Sequence, residues 1–213
     1  MKQGLIYLLI ILILCFLNIK IKIALQIIKI AKLLGKNKVS IYDYGGGSGL
    51  FLNNIKKIID LINPELELNI SSYDIKCYNK YNKSSTKLSN NHFDIIICSY
   101  CLHHIREKSH QRILKYIISH SRYSIFIEDN RTFLNQCIHH IHNSVYISDK
   151  KTILQQFYTK KEFTEKISDF NCEIILSKKY YFKLPSQQSN NILNSFYYNP
   201  TFIIITKNLN NWI

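Results

Sequence analysis

The sequence predicts an α/β domain in three layers, with helices on both faces of a mostly parallel sheet and an antiparallel strand at its edge. Three observations carry this expectation. Short apolar runs alternate with amphipathic stretches of helical period from residue 22 to residue 207, the pattern of successive β-α-β units. "FDIIICSY" (93–100) is a nearly continuous apolar run, as a strand covered on both faces should be. "KVSIYDYGGGSGLFLNNI" (38–55) joins an apolar strand to an amphipathic helix through four glycines in five positions, in a chain with only 6 glycines.

Taken in order, residues 22–35, "KIALQIIKIAKLLG", place apolar residues at helical spacing and end on Gly35, a natural C-terminal glycine cap. "VSIYDY" (39–44) reads as the first strand and "GLFLNNIKKIIDLI" (49–62) as a helix with one apolar face. "LELNISSYD" (66–74) alternates like a strand, and 93–100 follows as the sheet centre. "EKSHQRILKYIISHS" (107–121) reads as a helix and "YSIFIED" (123–129) as a strand. "KKEFTEKISDF" (160–170) is a helix, while "CEIILSKKYYF" (172–182) and "TFIIITK" (201–207) are strands that could pair as an antiparallel hairpin at the sheet edge. Between Asp74 and Phe93, the 18 residues "IKCYNKYNKSSTKLSNNH" are polar and hold no clear apolar strand.

At 213 residues the chain suits one domain with a full core, and 46% hydrophobic with 20% charged residues excludes a disordered chain. The net charge of +14 is carried by lysines scattered along the chain rather than gathered into one stripe. That distribution argues against a dedicated nucleic-acid groove. The six cysteines show no disulfide spacing, which fits a reducing, cytoplasmic compartment. Cys98 and Cys101 form a lone CxxC in an apolar setting, read as buried thiols, and His139, His140 and His142 read as helix-surface or pocket-lining side chains; no metal is assigned. Leu5–Leu17 is an unbroken apolar run of 13 residues, short of the roughly 18–20 of a spanning helix. A buried packing helix, an interfacial anchor flanked by Lys20 and Lys22, and a short signal-anchor all remain open. We therefore divide the chain into an apolar helical segment, 1–35, and the α/β domain, 36–213.

The glycine loop points to a ligand. In such a sheet, ligands bind beyond the carboxyl ends of the strands at the switch point of the topology. Glycines there admit positive φ and a close approach of backbone to ligand. A Gly-x-Gly-x-x-Gly dinucleotide pattern would need glycine where Leu50 stands; the spacing of Gly45, Gly47 and Gly49 is instead Gly-x-Gly-x-Gly, preceded by Asp43 at the strand end.

"IYDYGGGSG" resembles motif I of the class I S-adenosylmethionine-dependent methyltransferases, of the type that modifies small molecules. The resemblance implies a Rossmann-like sheet and the cofactor S-adenosyl-L-methionine. It places Gly45, Gly46, Gly47 and Gly49 at the methionine part of the cofactor and Asp43 at its amino group. Asp74, 25 residues beyond Gly49, falls where the family holds the ribose hydroxyls. "FDIIICSYCLHHI" (93–105) is similar to the family's fourth-strand motif, which implies that Ser99 and Tyr100 line the cofactor and that His103 and His104 face the substrate as candidate general bases. The packing alternative, a His pair capping the next helix, stays open. "SRYSIFIEDNRTF" (121–133) is similar to a bacterial subgroup in which the fifth strand ends in acidic and amide residues followed by Arg, implying Glu128, Asn130 and Arg131 at the substrate rim. The expected activity is biosynthetic methyl transfer to a small molecule, by O-methylation of an apolar metabolite. The alternatives are an RNA methyltransferase and a catalytically silent, membrane-associated binding module on the same fold, with peripheral membrane contact through the N-terminal segment.

Overall fold

The structure, a computed structural model, describes residues 19–74, 83–85, 88–131, 158–182 and 198–210, with the backbone alone for 83–85, 180–182 and 198–200. Its centre is a seven-stranded sheet in the order β3-β2-β1-β4-β5-β7-β6. The strands are β1 (Lys38–Tyr44), β2 (Glu67–Tyr73), β3 (Lys83–Ser85), β4 (Phe93–Ser99), β5 (Ser121–Asp129), β6 (Cys172–Phe182) and β7 (Tyr198–Asn208). The first five in chain order run parallel, whereas β7 is antiparallel to both β5 and β6. The expected antiparallel pair is present, with β6 at the edge and β7 inserted beside β5. Phe202, Ile203, Ile204 and Ile205 are all fully buried, as a strand covered on both faces requires.

Among the described residues, four helices flank the sheet: α1 over 19–34, α2 (Leu50–Ile62), α3 (His110–Ser119) and α4 (Lys160–Ser168). Strand alternation sorts the core into two clusters. Val39, Ile41, Ile95, Ile97, Ile125 and Ile203 face α1 and α2, meeting Ile23, Ile27, Leu52, Ile55 and Ile59. Tyr42, Ile96, Cys98, Phe126 and Phe202 face α3 and α4, meeting Ile113, Leu114, Ile117, Phe163 and Ile167. This is the three-layer sandwich the sequence predicts.

Three local differences have physical causes. The stretch 107–121 is not one helix. Glu107–Ser109 forms a 3-10 turn, the α-helix begins at His110, and Ser121 already belongs to β5. His110 is drawn inward by buried hydrogen bonds, which sets that start. The polar segment after Asp74, which reads as strandless, contributes β3, paired with β2 through Ser71–Tyr73. An edge strand needs only one partner's main-chain groups, so apolar side chains are dispensable there. Helix α1 ends at Gly35 (φ 65°) as expected, but its Ile23, Ala24, Ile27 and Ile30 are fully buried in the core shared with β1, β4 and β5. The described part of the segment set apart as 1–35 is thus packed into the same core as the sheet. The run Leu5–Leu17 lies outside the described residues, and among the described residues no helix is long and apolar enough to cross a membrane.

Candidate active site

Strand order places β1 beside β4, with the chain moving outward to β2 and β3 before returning to β4. The carboxyl ends of β1 and β4 therefore form the switch point, where a crevice opens. The loop Gly45–Gly49 covers the end of β1 and is tied to the end of β2. The Gly45 and Gly46 amides donate to the Tyr73 carbonyl at 2.8 and 3.2 Å, and the Gly47 amide donates to Asp74 Oδ2 at 2.9 Å.

Two of the glycines answer to close neighbours within the chain. A Cβ on Gly45 would stand 2.3 Å from Cys101 Sγ, at φ 75°, and one on Gly46 would stand 2.5 Å from Asp43 Oδ2. Gly47 is different: nothing lies within 4 Å of where its Cβ would be, and its φ is 54°. Gly49 is the N-cap residue of α2.

Gly45, Gly46, Gly47, Ser99 and Tyr100 come together in one cleft of about 360 Å³, joined by Ser48, Leu50 and Phe51 from the start of α2 and by Lys20 from α1. Tyr100 holds a left-handed backbone (φ 51°), its amide donating to the Ile127 carbonyl at 2.8 Å and its hydroxyl 3.2 Å from Thr201 Oγ1. A non-glycine residue in that conformation carries strain that surrounding contacts must hold.

Asp43 sits directly behind the Gly46 backbone. Its side chain is buried, and among the described residues neither carboxylate oxygen has a hydrogen-bond partner. Burial, followed by the nearby charge of Asp74, pushes its pKa up from 3.8 to about 7. An unpartnered buried carboxylate costs free energy unless a donor meets it.

The loop after β4 is clamped from two sides. Glu128, buried at the end of β5, accepts from the Cys101 amide (2.9 Å), the Leu102 amide (2.7 Å) and His103 Nδ1 (2.7 Å). From α3, His110 Nε2 lies 2.9 Å from the Leu102 carbonyl and 2.8 Å from that of Ile105. Both partners only accept, so Nε2 carries a hydrogen, and Nδ1 lies 2.5 Å from the Tyr158 hydroxyl. His103 is buried, which works against its charge, but the hydrogen bond and charge of Glu128, aided by Asp129, outweigh burial and raise its pKa. His104 is exposed, its ring centroid 4.1 Å from that of His103. Neither histidine borders the cleft of the glycine loop.

The three residues expected at the substrate rim take separate places in the structure. Glu128 lies beneath the β4 loop as just described. Asn130 is buried and its Oδ1 accepts from the Lys160 amide at 3.1 Å, at the start of α4. Arg131 is exposed, pairs with Glu162 and donates its amide to the Tyr158 carbonyl at 2.9 Å. Glu162 closes a capping box with Thr159. These residues fix where α4 begins. Their place in the chain gave no sign of it, because the partners lie some 30 residues onward. His139, His140 and His142 lie outside the described residues.

Sequence reasoning missed Lys20, Leu50, Phe51 and His110. Lys20 reads as a membrane flank, and the contacts of His110 are long-range. Only the amphipathic phase of α2 hints that Leu50 and Phe51 stand at the cleft.

The glycine loop opens on the β1/β4 switch point, where the resemblance to the class I S-adenosylmethionine-dependent methyltransferases puts the cofactor. A methyltransferase-domain family matches residues 22–177, and the chain belongs to it. The fold is similar to that of magnesium protoporphyrin IX methyltransferase from Synechocystis PCC 6803 with bound S-adenosylhomocysteine: 10% identity, covering 88% of this chain and 83% of that one, TM-score 0.52. It is also similar to a SAM-dependent methyltransferase from Archaeoglobus fulgidus: 15% identity, covering 79% and 86%, TM-score 0.55. A third likeness is to the mitomycin 7-O-methyltransferase MmcR: 12% identity, covering 80% of this chain and 49% of that one, TM-score 0.50. No curated protein sequence matches this chain. The residues present fit the cofactor: a buried carboxylate lacks a donor, Gly47 leaves open space, and Asp74 stands half-buried at the end of β2.

Proposed function

We propose that this methyltransferase modifies a small molecule, an apolar metabolite accepting the methyl group on oxygen, in biosynthesis. The observation that carries the reading is the cleft at the switch point, in which the glycine loop, Ser99 and Tyr100 meet the apolar Leu50 and Phe51. Asp43 would hold the cofactor's ammonium, the Gly45–Gly47 backbone its methionine part, and Asp74 its ribose. S-adenosylmethionine, when bound, supplies an electrophilic methyl group on a sulfonium, so the protein's work is chiefly to position the acceptor and exclude water. The β4 loop is suited to this, because Glu128 and His110 hold it at both ends of the Leu102–Ile105 turn. Of the two candidate bases, His104 is the one exposed to solvent; His103 is committed to Glu128. Two structural neighbours named for small molecules, a porphyrin and mitomycin, support the substrate class. Carbon or nitrogen acceptors are the alternative chemistry.

The free thiols Cys98, Cys101 and Cys172 support a reducing, cytoplasmic setting. The run Leu5–Leu17, which precedes Lys20 in the chain, is read as a lid or a membrane-contacting segment. A second reading, RNA as acceptor, is favoured only by the net charge of +14.

The test begins with calorimetric titration of S-adenosylhomocysteine into the folded protein and into Asp43→Ala and Asp74→Ala. Binding that both substitutions weaken supports the site. Transfer of a labelled methyl group to phenolic and other hydroxyl acceptors, run beside total RNA, then separates the substrate classes. Incorporation into RNA alone would overturn the small-molecule reading.

A further inference from the structure

Among the described residues lining the cleft, Lys20 is the one charged side chain. It comes from α1, whose Ile23, Ala24 and Ile27 are locked into the core against β1 and β4. That packing fixes the helix, and with it the stem of Lys20, relative to the glycine loop. Two acids stand at this end of the site, Asp74 on the Gly47 amide and Asp43 behind the loop; Asp43 is the buried one. By strand alternation it lies on the same side of the sheet as Ile41, the side that α1 covers. Its carboxylate is buried against the Gly46 backbone with no hydrogen-bond partner. The Gly45–Gly47 backbone thus has an anionic group behind it and a cationic group at the cleft wall. An ammonium and a carboxylate on one carbon, the head of an α-amino acid, match that pair of charges in sign.

We propose that Lys20 reads the carboxylate of the cofactor's amino-acid head while Asp43 takes its ammonium, so that α1 confers selectivity for a donor with an intact α-amino acid. This rests on the cofactor reading above and adds to it a residue that the glycine motif does not contain. A lysine, as a flexible point charge, tolerates small differences in where the carboxylate sits. The consequence is a site that discriminates against a decarboxylated donor.

The experiment compares three ligands by calorimetry at low salt on the full chain. They are S-adenosylhomocysteine, its decarboxylated analogue S-adenosyl-3-thiopropylamine, and 5′-methylthioadenosine, which lacks the whole head. The proteins are wild type, Lys20→Gln and Lys20→Arg, each checked for an unchanged melting temperature. Loss of one charge-assisted contact predicts that Lys20→Gln binds S-adenosylhomocysteine about tenfold more weakly. The same variant should bind the other two ligands as wild type does. Wild type should prefer S-adenosylhomocysteine over the decarboxylated analogue by a similar factor, a preference Lys20→Gln abolishes and Lys20→Arg largely keeps. Equal weakening of all three ligands would mean that Lys20 supports the loop without reading the carboxylate. Unchanged cofactor affinity with a raised KM for an acidic acceptor would assign the lysine to the acceptor's carboxylate instead. Either result overturns the proposal. Failure of folded wild type to bind any of the three would overturn the cofactor reading itself, a distinct outcome.

Discussion

Asp43 offers the most quantitative test of the site. Its carboxyl group is buried without a donor, and its pKa is raised from 3.8 to about 7, by burial first and by Asp74 second. Because the folded value lies above the unfolded one, the folded state holds the extra proton between about pH 4 and pH 7. This group's contribution to stability therefore falls as pH rises through that window. A shift of that size amounts to roughly 4 kcal/mol in full, of which about 2–3 kcal/mol develops between pH 5 and pH 8. Asp43→Asn keeps the shape and removes the titration. Without cofactor, wild type should lose about 2–3 kcal/mol relative to Asp43→Asn between those two pH values, read by urea denaturation. The difference between the two proteins cancels the titration of groups that do not interact with Asp43, His103 among them. Parallel pH profiles would refute the reasoning, since they would mean that the carboxyl group is solvated or partnered in the protein. The same linkage applies to binding. If the ammonium of S-adenosylhomocysteine requires the ionised carboxylate, affinity should rise about tenfold per pH unit up to about pH 7 and then level off. Asp43→Asn should bind weakly and show no such slope.

Glu128→Ala leaves two loop amides and His103 Nδ1 without their acceptor; it should cost about 3 kcal/mol and reduce methyl transfer. In the milder Glu128→Gln, the His103 pKa, followed by NMR, should fall from its raised value. His103's raised pKa in wild type implies stability that is fully present below about pH 6.5 and is lost as pH rises through the folded value. Gly45→Ala forces a Cβ to within 2.3 Å of Cys101 Sγ in a left-handed backbone; a loss of about 1–2 kcal/mol from the backbone alone, with weakened cofactor binding, is expected in denaturation and titration. Ile27→Ala empties a fully buried site between α1 and the sheet. It should lower stability by about 2–5 kcal/mol in chemical denaturation, and unchanged stability would mean that α1 is not part of the folding unit.

Local sequence determined most of the elements and the layer order. Each element buries its own face, and the period of apolar residues along 39–44, 49–62, 93–100 and 201–207 records which face that is. The glycine loop was legible for the same reason. Gly45–Gly49 and Asp43 adjoin in the chain, so their spacing carries their geometry. Tertiary structure alone decided whatever depends on a distant partner. The β3 strand exists because β2 offers it main-chain groups, so its polar sequence hid it. The motif showed that Gly45 and Gly46 must lack side chains. That Cys101 and the Asp43 carboxylate fill the space became clear only once β1 and the β4 loop were brought together. Glu128, Asn130 and Arg131 follow one another closely in the chain, yet one clamps the β4 loop and two fix the start of α4. Lys20 reached the cleft through the packing of α1, which apolar period could predict as a helix but not orient. A polar or charged side chain takes its role from whatever lies within hydrogen-bond reach, and the neighbours in that shell come from anywhere in the chain.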